Sequence, residues 1–255
     1  MKITTPQNKE TVIKIENLKI KFGDLEVLKD VSLELFKGEN LVVLGKSGTG
    51  KSVLIKCIVR LLNSNGGNIF IDDEEVNSLK SEALNNVRKK IGFLFQSGAL
   101  YDSMTVRQNL AFPLKRIKKD LTENEIEEKI KETLQNVGLP DVIDKMPSQL
   151  SGGMRKRISL ARTIIVDPSI MLYDEPTTGL DPVTSHEIST LINDIKMKYK
   201  TSSIIITHDI ECVRTVADRI IMLNEGEVYH EGTLEDFENS KDELIYSFFK
   251  NQNKK

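Results

Sequence analysis

Residues 45–52 read GKSGTGKS, which fits the spacing G-x-x-x-x-G-K-[ST]. Gly45, Gly48 and Gly50 allow the main chain to wrap an anion closely, so the whole loop, with Lys46, Ser47 and Thr49, is a candidate phosphate cradle. Lys51 would reach the β and γ phosphates of a nucleotide, and Ser52 offers a hydroxyl to Mg²⁺. A second candidate stretch, SIMLYDEP over 169–176, ends an apolar run in two carboxylates. Asp174 suits a water-mediated hold on Mg²⁺, and Glu175 suits orienting and deprotonating an attacking water. Tyr173 interrupts this run and reads as a packing residue with its hydroxyl at the sheet edge. Gln96 and His208 close two further apolar runs, IGFLF and SSIIIT, and Gln96 joins Ser52 and Asp174 as a candidate Mg²⁺ ligand.

Bringing these groups together requires the carboxyl ends of several parallel strands to share one rim, where ligands bind in open α/β sheets. The chain has the pattern for it. ENLVVLG (39–45) and IGFLF (91–95) are short, continuous apolar runs of the kind that form buried strands, and KSVLIKCIVRLL (51–62) has helical spacing. Before them, VIKIENLKIKF and LEVLKDVSLEL alternate as half-buried antiparallel strands joined at Gly23-Asp24. From about 97 to 165 helical stretches dominate. Strand and helix then alternate again to a hairpin around Asn224-Glu225-Gly226. This order predicts a mainly parallel sheet interrupted by a helical insertion.

Bulk properties narrow the function. A chain of 255 residues with 39% apolar and 29% charged residues can bury a large core, and a net charge of −2 gives no general electrostatic reason to bind nucleic acid. No apolar run approaches the ~20 residues that span a bilayer, and MKITTPQNKE lacks the apolar stretch of a targeting signal, so a cytosolic protein is expected. Cys57 and Cys212 read as buried thiols of a reducing compartment.

One stretch resists a purely local account. LSGGMRKR (150–157) opens a good helix on two glycines, each costing roughly 1 kcal/mol against alanine in a helix interior. Taken with GKSGTGKS, FQSG (95–98), IMLYDE (170–175), GLDP (179–182) and ITHD (206–209), in this order, it resembles the ATP-binding subunits of ABC transporters, over about residues 12–232. The resemblance implies an α/β fold: a P-loop NTPase (RecA-like) core with an N-terminal antiparallel β-subdomain and an inserted α-helical subdomain. Residues 1–96 and 166–232 would form the nucleotide-binding core, 97–165 the helical subdomain with the signature, and 233–255 a C-terminal tail.

The resemblance also implies roles. ATP and Mg²⁺ are the expected ligands, with Glu175 as base, His208 on the γ-phosphate and Phe22 stacked on adenine. Two copies would meet head to tail, so that Ser151, Gly152 and Gly153 of one close over ATP held by the other, with Asp181 communicating across the interface. A side chain at either glycine would hold the phosphate away. A transmembrane permease is the expected partner, which places the chain at the cytoplasmic face of the inner membrane. Met154 stands where many members have glutamine. Together with FLFQSGALYDSMTVRQNLAFPL and LYDEPTTGLDPVT, it resembles the Mla-type phospholipid transporter ATPases, which work with Mce-domain proteins and in some cases a small STAS-domain protein. Leu100, Tyr101 and Met104 would then line a groove for the permease. The tail residues Leu244, Ile245, Phe248 and Phe249 form one helix face that would reach the neighbouring subunit. An ATPase of the same family serving another cargo, such as an amino acid, metal or drug, is the alternative, and a soluble ABC ATPase outside transport a further one.

Overall fold

The computed structural model describes residues 9–250; expectations for residues 1–8 and 251–255 lie outside them. In chain order the elements are β1 (Thr11–Phe22), β2 (Leu25–Phe36), β3 (Asn40–Leu44), α1 (Lys51–Ile58), β4 (Gly66–Ile71), β5 (Glu74–Glu75), α2 (Ser81–Lys89), β6 (Ile91–Leu94), α3 (Val106–Ile117), α4 (Glu123–Asn136), α5 (Gly152–Ile164), β7 (Ile170–Asp174), α6 (Pro182–Tyr199), β8 (Ser202–Thr207), α7 (Ile210–Val216), β9 (Arg219–Asn224), β10 (Glu227–Gly232), α8 (Leu234–Glu238) and α9 (Glu243–Lys250). The strands form one ten-stranded sheet in the order β5-β4-β1-β2-β10-β9-β3-β8-β7-β6.

The sheet has two characters. β1, β2, β4 and β5 pair antiparallel, whereas β9, β3, β8, β7 and β6 run parallel. The two halves touch through β10, which is antiparallel to β9 and meets β2 through the pair Glu227↔Asp30. Arg219 on β9 braces this seam with two bonds to the buried carboxylate of Glu39, at 2.8 and 3.0 Å, and lies over the Phe36 ring. Bidentate pairing of this kind is what makes a buried carboxylate tolerable.

The parallel strands are buried on both faces, so their apolar runs divide between two cores with period two. Val42, Leu44, Met171, Tyr173, Ile220 and Met222 enter the core shared with α3 to α7. Their neighbours Leu41, Val43, Ile170, Leu172, Ile221 and Leu223 enter the core shared with α1, α2 and the antiparallel strands.

Local chemistry sets the boundaries. At the β9–β10 turn Glu225 and Gly226 both have positive φ, 50° and 84°, as a tight two-residue hairpin requires. Thr105 with Gln108 and Thr122 with Glu125 form capping boxes that start α3 and α4. The helix expected over 51–62 stops at Ile58. Arg60 takes φ 52°, and the N–H groups of Arg60 and Leu61 return to the carbonyls of Cys57 and Lys56, a left-handed helix stop. Two further expectations are corrected. The Tyr173 hydroxyl lies fully buried in mid-sheet, near Ser203 on β8, and burial pushes its pKa up. The tail helix turns two of its four apolar residues, Ile245 and Phe249, into the chain's own core, with Phe249 5.9 Å from Phe237, whereas Leu244 and Phe248 are only partly buried beside it. Among the described residues no helix is long and apolar enough to cross a membrane.

Candidate functional site

Four strand ends meet on one rim. The strand β3 runs into the glycine loop, and Asp174 ends β7. Gln96 lies two residues beyond β6, and His208 directly follows β8. A cleft of about 430 Å³ lies there, lined among others by Ser47, Gly48, Lys51, Gln96, Glu175 and His208.

The loop leaves β3 and enters α1 without a side-chain cap, so the first N–H groups of the helix are not taken by a cap side chain. Gly50 makes the entry possible. Its φ is 93°, and a Cβ there would lie 2.7 Å from Leu28 Cδ2. Thr49 closes the turn by donating its N–H and its hydroxyl to the Lys46 carbonyl. Lys51 Nζ donates to the carbonyls of Gly45 and Lys46, at 2.8 and 3.0 Å, and lies 3.8 Å from Glu175 Oε1. Burial lowers its pKa, and the charges of Glu175 and Asp174 act against that.

Across the cleft, Ser52 Oγ donates to Asp174 Oδ1 at 2.7 Å. A hydroxyl and a carboxylate side by side are hard oxygen donors, the set Mg²⁺ takes when substrate phosphates and water supply the rest. Glu175 sits at φ 50°, held by its N–H on the Ile206 carbonyl. One of its oxygens, Oε2, faces His208 Nδ1 at 2.8 Å and accepts from Thr178 Oγ1 at 3.3 Å. An oriented carboxylate beside an imidazole and an ammonium can polarise and deprotonate a water next to a bound phosphate.

Among the described residues the buried side chains of charged type are Glu39, Lys51, Lys156, Asp174 and Glu175. Four of these five belong to this rim or to the helix against it, two of each sign. Lys156 is on α5, and its Nζ donates to the Gln96 carbonyl at 2.9 Å. Burial lowers its pKa, and Asp174 and Glu175 act to raise it.

Other predicted residues lie elsewhere. Phe22 is half exposed at the end of β1, paired with Leu25; it does not line the phosphate cleft, whereas Val27 does. The signature glycines do not line the phosphate cleft of their own chain either. Ser151 and Gly152 are exposed, and Gly152 borders a neighbouring cleft that also reaches Gln96. Ser151 caps α5 by accepting from the Met154 N–H. The absence of a side chain at Gly153 has a reason inside the chain: a Cβ would come within 2.5 Å of Thr184 Cγ2, whereas one at Gly152 meets only Leu180, at 3.8 Å. Asp181 caps α6, accepting from the Thr184 N–H and hydroxyl, and these bonds lower its pKa. Leu100 packs on the core, and Tyr101 lies against Phe112 and under Arg162.

Sequence reasoning did not single out Val27, Thr178 or Lys156. Thr178 had a signal, being a hydroxyl three residues beyond Glu175. Lys156 had none, because a lysine in a basic run reads as a solvated face.

Comparison with known proteins shows that residues 28–178 match the family described as ABC transporter. The chain is 43% identical over 211 residues to a probable ribonucleotide transport ATP-binding protein, mkl, of Mycobacterium leprae, covering 83% of this chain and 60% of that protein. It is 40% identical over 227 residues to the methionine import ATP-binding protein MetN 2 of Rhodopseudomonas palustris, covering 88% and 60%. It is also 39% identical over 229 residues to the glutamine transport ATP-binding protein GlnQ of Geobacillus stearothermophilus, covering 89% and 93%. The chain thus spans about 60% of the length of several of its curated relatives. A dimeric post-hydrolysis structure of the ATP-binding cassette MJ0796, bound to ADP and Pi, superposes with TM-score 0.80 at 32% identity, over 87% of this chain and 98% of that one.

Proposed function

The chain belongs to the ABC transporter family, and from that membership we propose that it is the ATP-binding and ATP-hydrolysing subunit of a transporter. The observation that carries the reading is the rim itself: a glycine loop with Lys51, the Ser52–Asp174 pair and the Glu175–His208 contact at 2.8 Å all face one cleft.

In this reading the loop N–H groups and Lys51 hold the β and γ phosphates of ATP. Ser52, Asp174 and Gln96 provide the oxygens for Mg²⁺, which supplies neutralisation of charge on the phosphates. Glu175 takes a proton from water as its oxygen bonds to the γ-phosphorus and the bridging P–O bond to ADP breaks. His208 and Thr178 hold the Glu175 carboxylate for this task. Phe22 supplies an aromatic face for adenine. Two copies act head to tail, each Ser151–Gly153 segment closing on the partner's nucleotide, beneath a transmembrane permease that receives the conformational change.

For the cargo, the names of the glutamine and methionine relatives favour an amino acid or a similar small solute over a phospholipid. The phospholipid reading, with its Mce-domain and STAS-domain partners, keeps Met154 as its support. Of the residues named for a permease groove, Leu100 packs partly on the core, whereas Tyr101, beside Phe112, stays 42% exposed. Purification from native membranes in mild detergent, with mass spectrometry of bound proteins and small molecules, separates the two. A permease with a solute-binding partner supports import of a small solute; a permease with an Mce-domain protein and enriched phospholipid would reverse the assignment.

The ATPase reading is tested by Glu175→Gln. General-base removal costs about 10²- to 10⁴-fold in rate, so turnover of Mg-ATP is expected to fall at least 100-fold while ATP still binds. Wild-type turnover in that variant would remove Glu175 from its role.

A further inference from the structure

Lys156 stands out among the buried charges because no step described above uses it. It lies on α5, five residues beyond Ser151, and is almost fully buried. A lysine side chain loses several kcal/mol of hydration when its ammonium is buried, and tolerates this only with polar partners. Its hydrogen bond goes to the main-chain carbonyl of Gln96, at 2.9 Å. The same loop is docked on α5 further along the helix. Gly98 leaves no room for a side chain against Ser159, where a Cβ would be 2.5 Å from its Oγ, and Arg162 donates to the Ala99 carbonyl. Residues 156, 159 and 162 are at helical spacing and therefore share one face of α5. That face carries the loop that begins at Gln96.

We propose that Lys156 is a positioning residue: its ammonium clamps the Gln96 main chain to the signature helix, so that the Gln96 side chain is presented at the phosphate cleft in a position set by α5. This rests on the ATPase reading above and adds a residue to it. The consequence is mechanical. A movement of α5, whose N-terminus Ser151 caps, cannot leave Gln96 behind while the clamp holds. Lys51 and the loop still hold the phosphates without it, so loss of the clamp acts on turnover and not on nucleotide affinity.

The test is a double-mutant cycle on the full chain, with ATPase kinetics for wild type, Lys156→Met, Gln96→Ala and the double variant. Lys156→Met is expected to lower kcat about tenfold with KM for ATP within twofold. In the Gln96→Ala background the same change is expected to have less than a twofold effect, because the clamp then has nothing to present. Amide exchange over residues 95–99 is expected to rise in Lys156→Met. An unchanged kcat, a loss expressed in KM, or effects that multiply would each overturn the proposal. If Lys156→Met does not fold, Lys156→Gln, polar but too short to reach the carbonyl, gives the same comparison. A wild-type chain that binds ATP without turnover would refute the ATPase reading instead, and the exchange measurement would then judge the clamp: unchanged protection at 95–99 refutes it.

Discussion

Cys57 and Cys212 show at the residue scale how burial, the largest influence on both, sets chemistry. Both are free and buried, and burial pushes their thiols up from an ordinary value of 9.0 to about 11 and about 12. A raised thiol pKa means that the folded chain holds protons the unfolded chain would release. The stability this contributes is complete below about pH 9 and is lost as the pH rises toward 11 and 12. The denaturation midpoint is therefore expected to fall across that window more than in a Cys57→Ala/Cys212→Ala double variant. At pH 8 neither thiol should react with a thiol reagent until the chain unfolds, since the thiolate is the reactive form. Rapid labelling of the native chain would contradict the burial. The phosphate loop and the paired carboxylates were legible at this scale because their types and spacing are rigidly tied to phosphate chemistry. Lys156 was not, because which face of a helix is covered depends on residues 60 positions away.

At the scale of elements, Asp181, Thr184 and Gly153 form a chain of contacts between two helix entrances. Asp181 fixes Thr184 through two hydrogen bonds, at 3.0 and 2.6 Å, and the Thr184 methyl occupies the space that a side chain at 153 would need. Gly153→Ala is thus expected to destabilise the chain by about 1–3 kcal/mol, the usual cost of overpacking. Thr184→Ser, which keeps the hydroxyl and removes the methyl, should restore most of it in a thermal melt. Gly152→Ala has room within the chain and should leave the melt unchanged or slightly raised. An ATPase loss in that variant would therefore report on contact with a partner's nucleotide. Equal melts for the two alanine variants would show that Thr184 does not impose the glycine. The sequence pattern placed a glycine-lined helix entrance here, and the family resemblance gave it an intermolecular reason. The intramolecular reason at Gly153 depends on where α6 packs, which no local pattern states.

For the whole molecule, strand order decides what the rim can contain. The alternation of apolar runs made the parallel sheet and the helical stretch legible in advance, since residues buried on both faces leave a continuous apolar signature. The pairing of α9 with its own core was less so, because an amphipathic tail suits an internal or an external partner equally. In the head-to-tail reading, ATP and Mg²⁺ added to Glu175→Gln should double the mass in sedimentation, while ADP should leave the monomer. A monomer under both conditions would refute the nucleotide-bridged pair.

Ser52, at the start of the helix that follows β3, touches Asp174 at the end of β7, although β3 and β7 are not neighbours. Between β3 and β7 lies β8, and on the other side of β3 lies β9, so both neighbours of the strand that feeds the phosphate loop come from residues 202–224. During synthesis from the N-terminus, at about 5–20 residues per second, the loop and both carboxylates are made before either flanking strand exists. Until β8 slots in, the two halves of the cleft have no framework to hold them at hydrogen-bonding distance. The order of the strands thus sets an order of assembly: in the proposed reading, the two halves of the cleft come together only when nearly all of the sheet has been made.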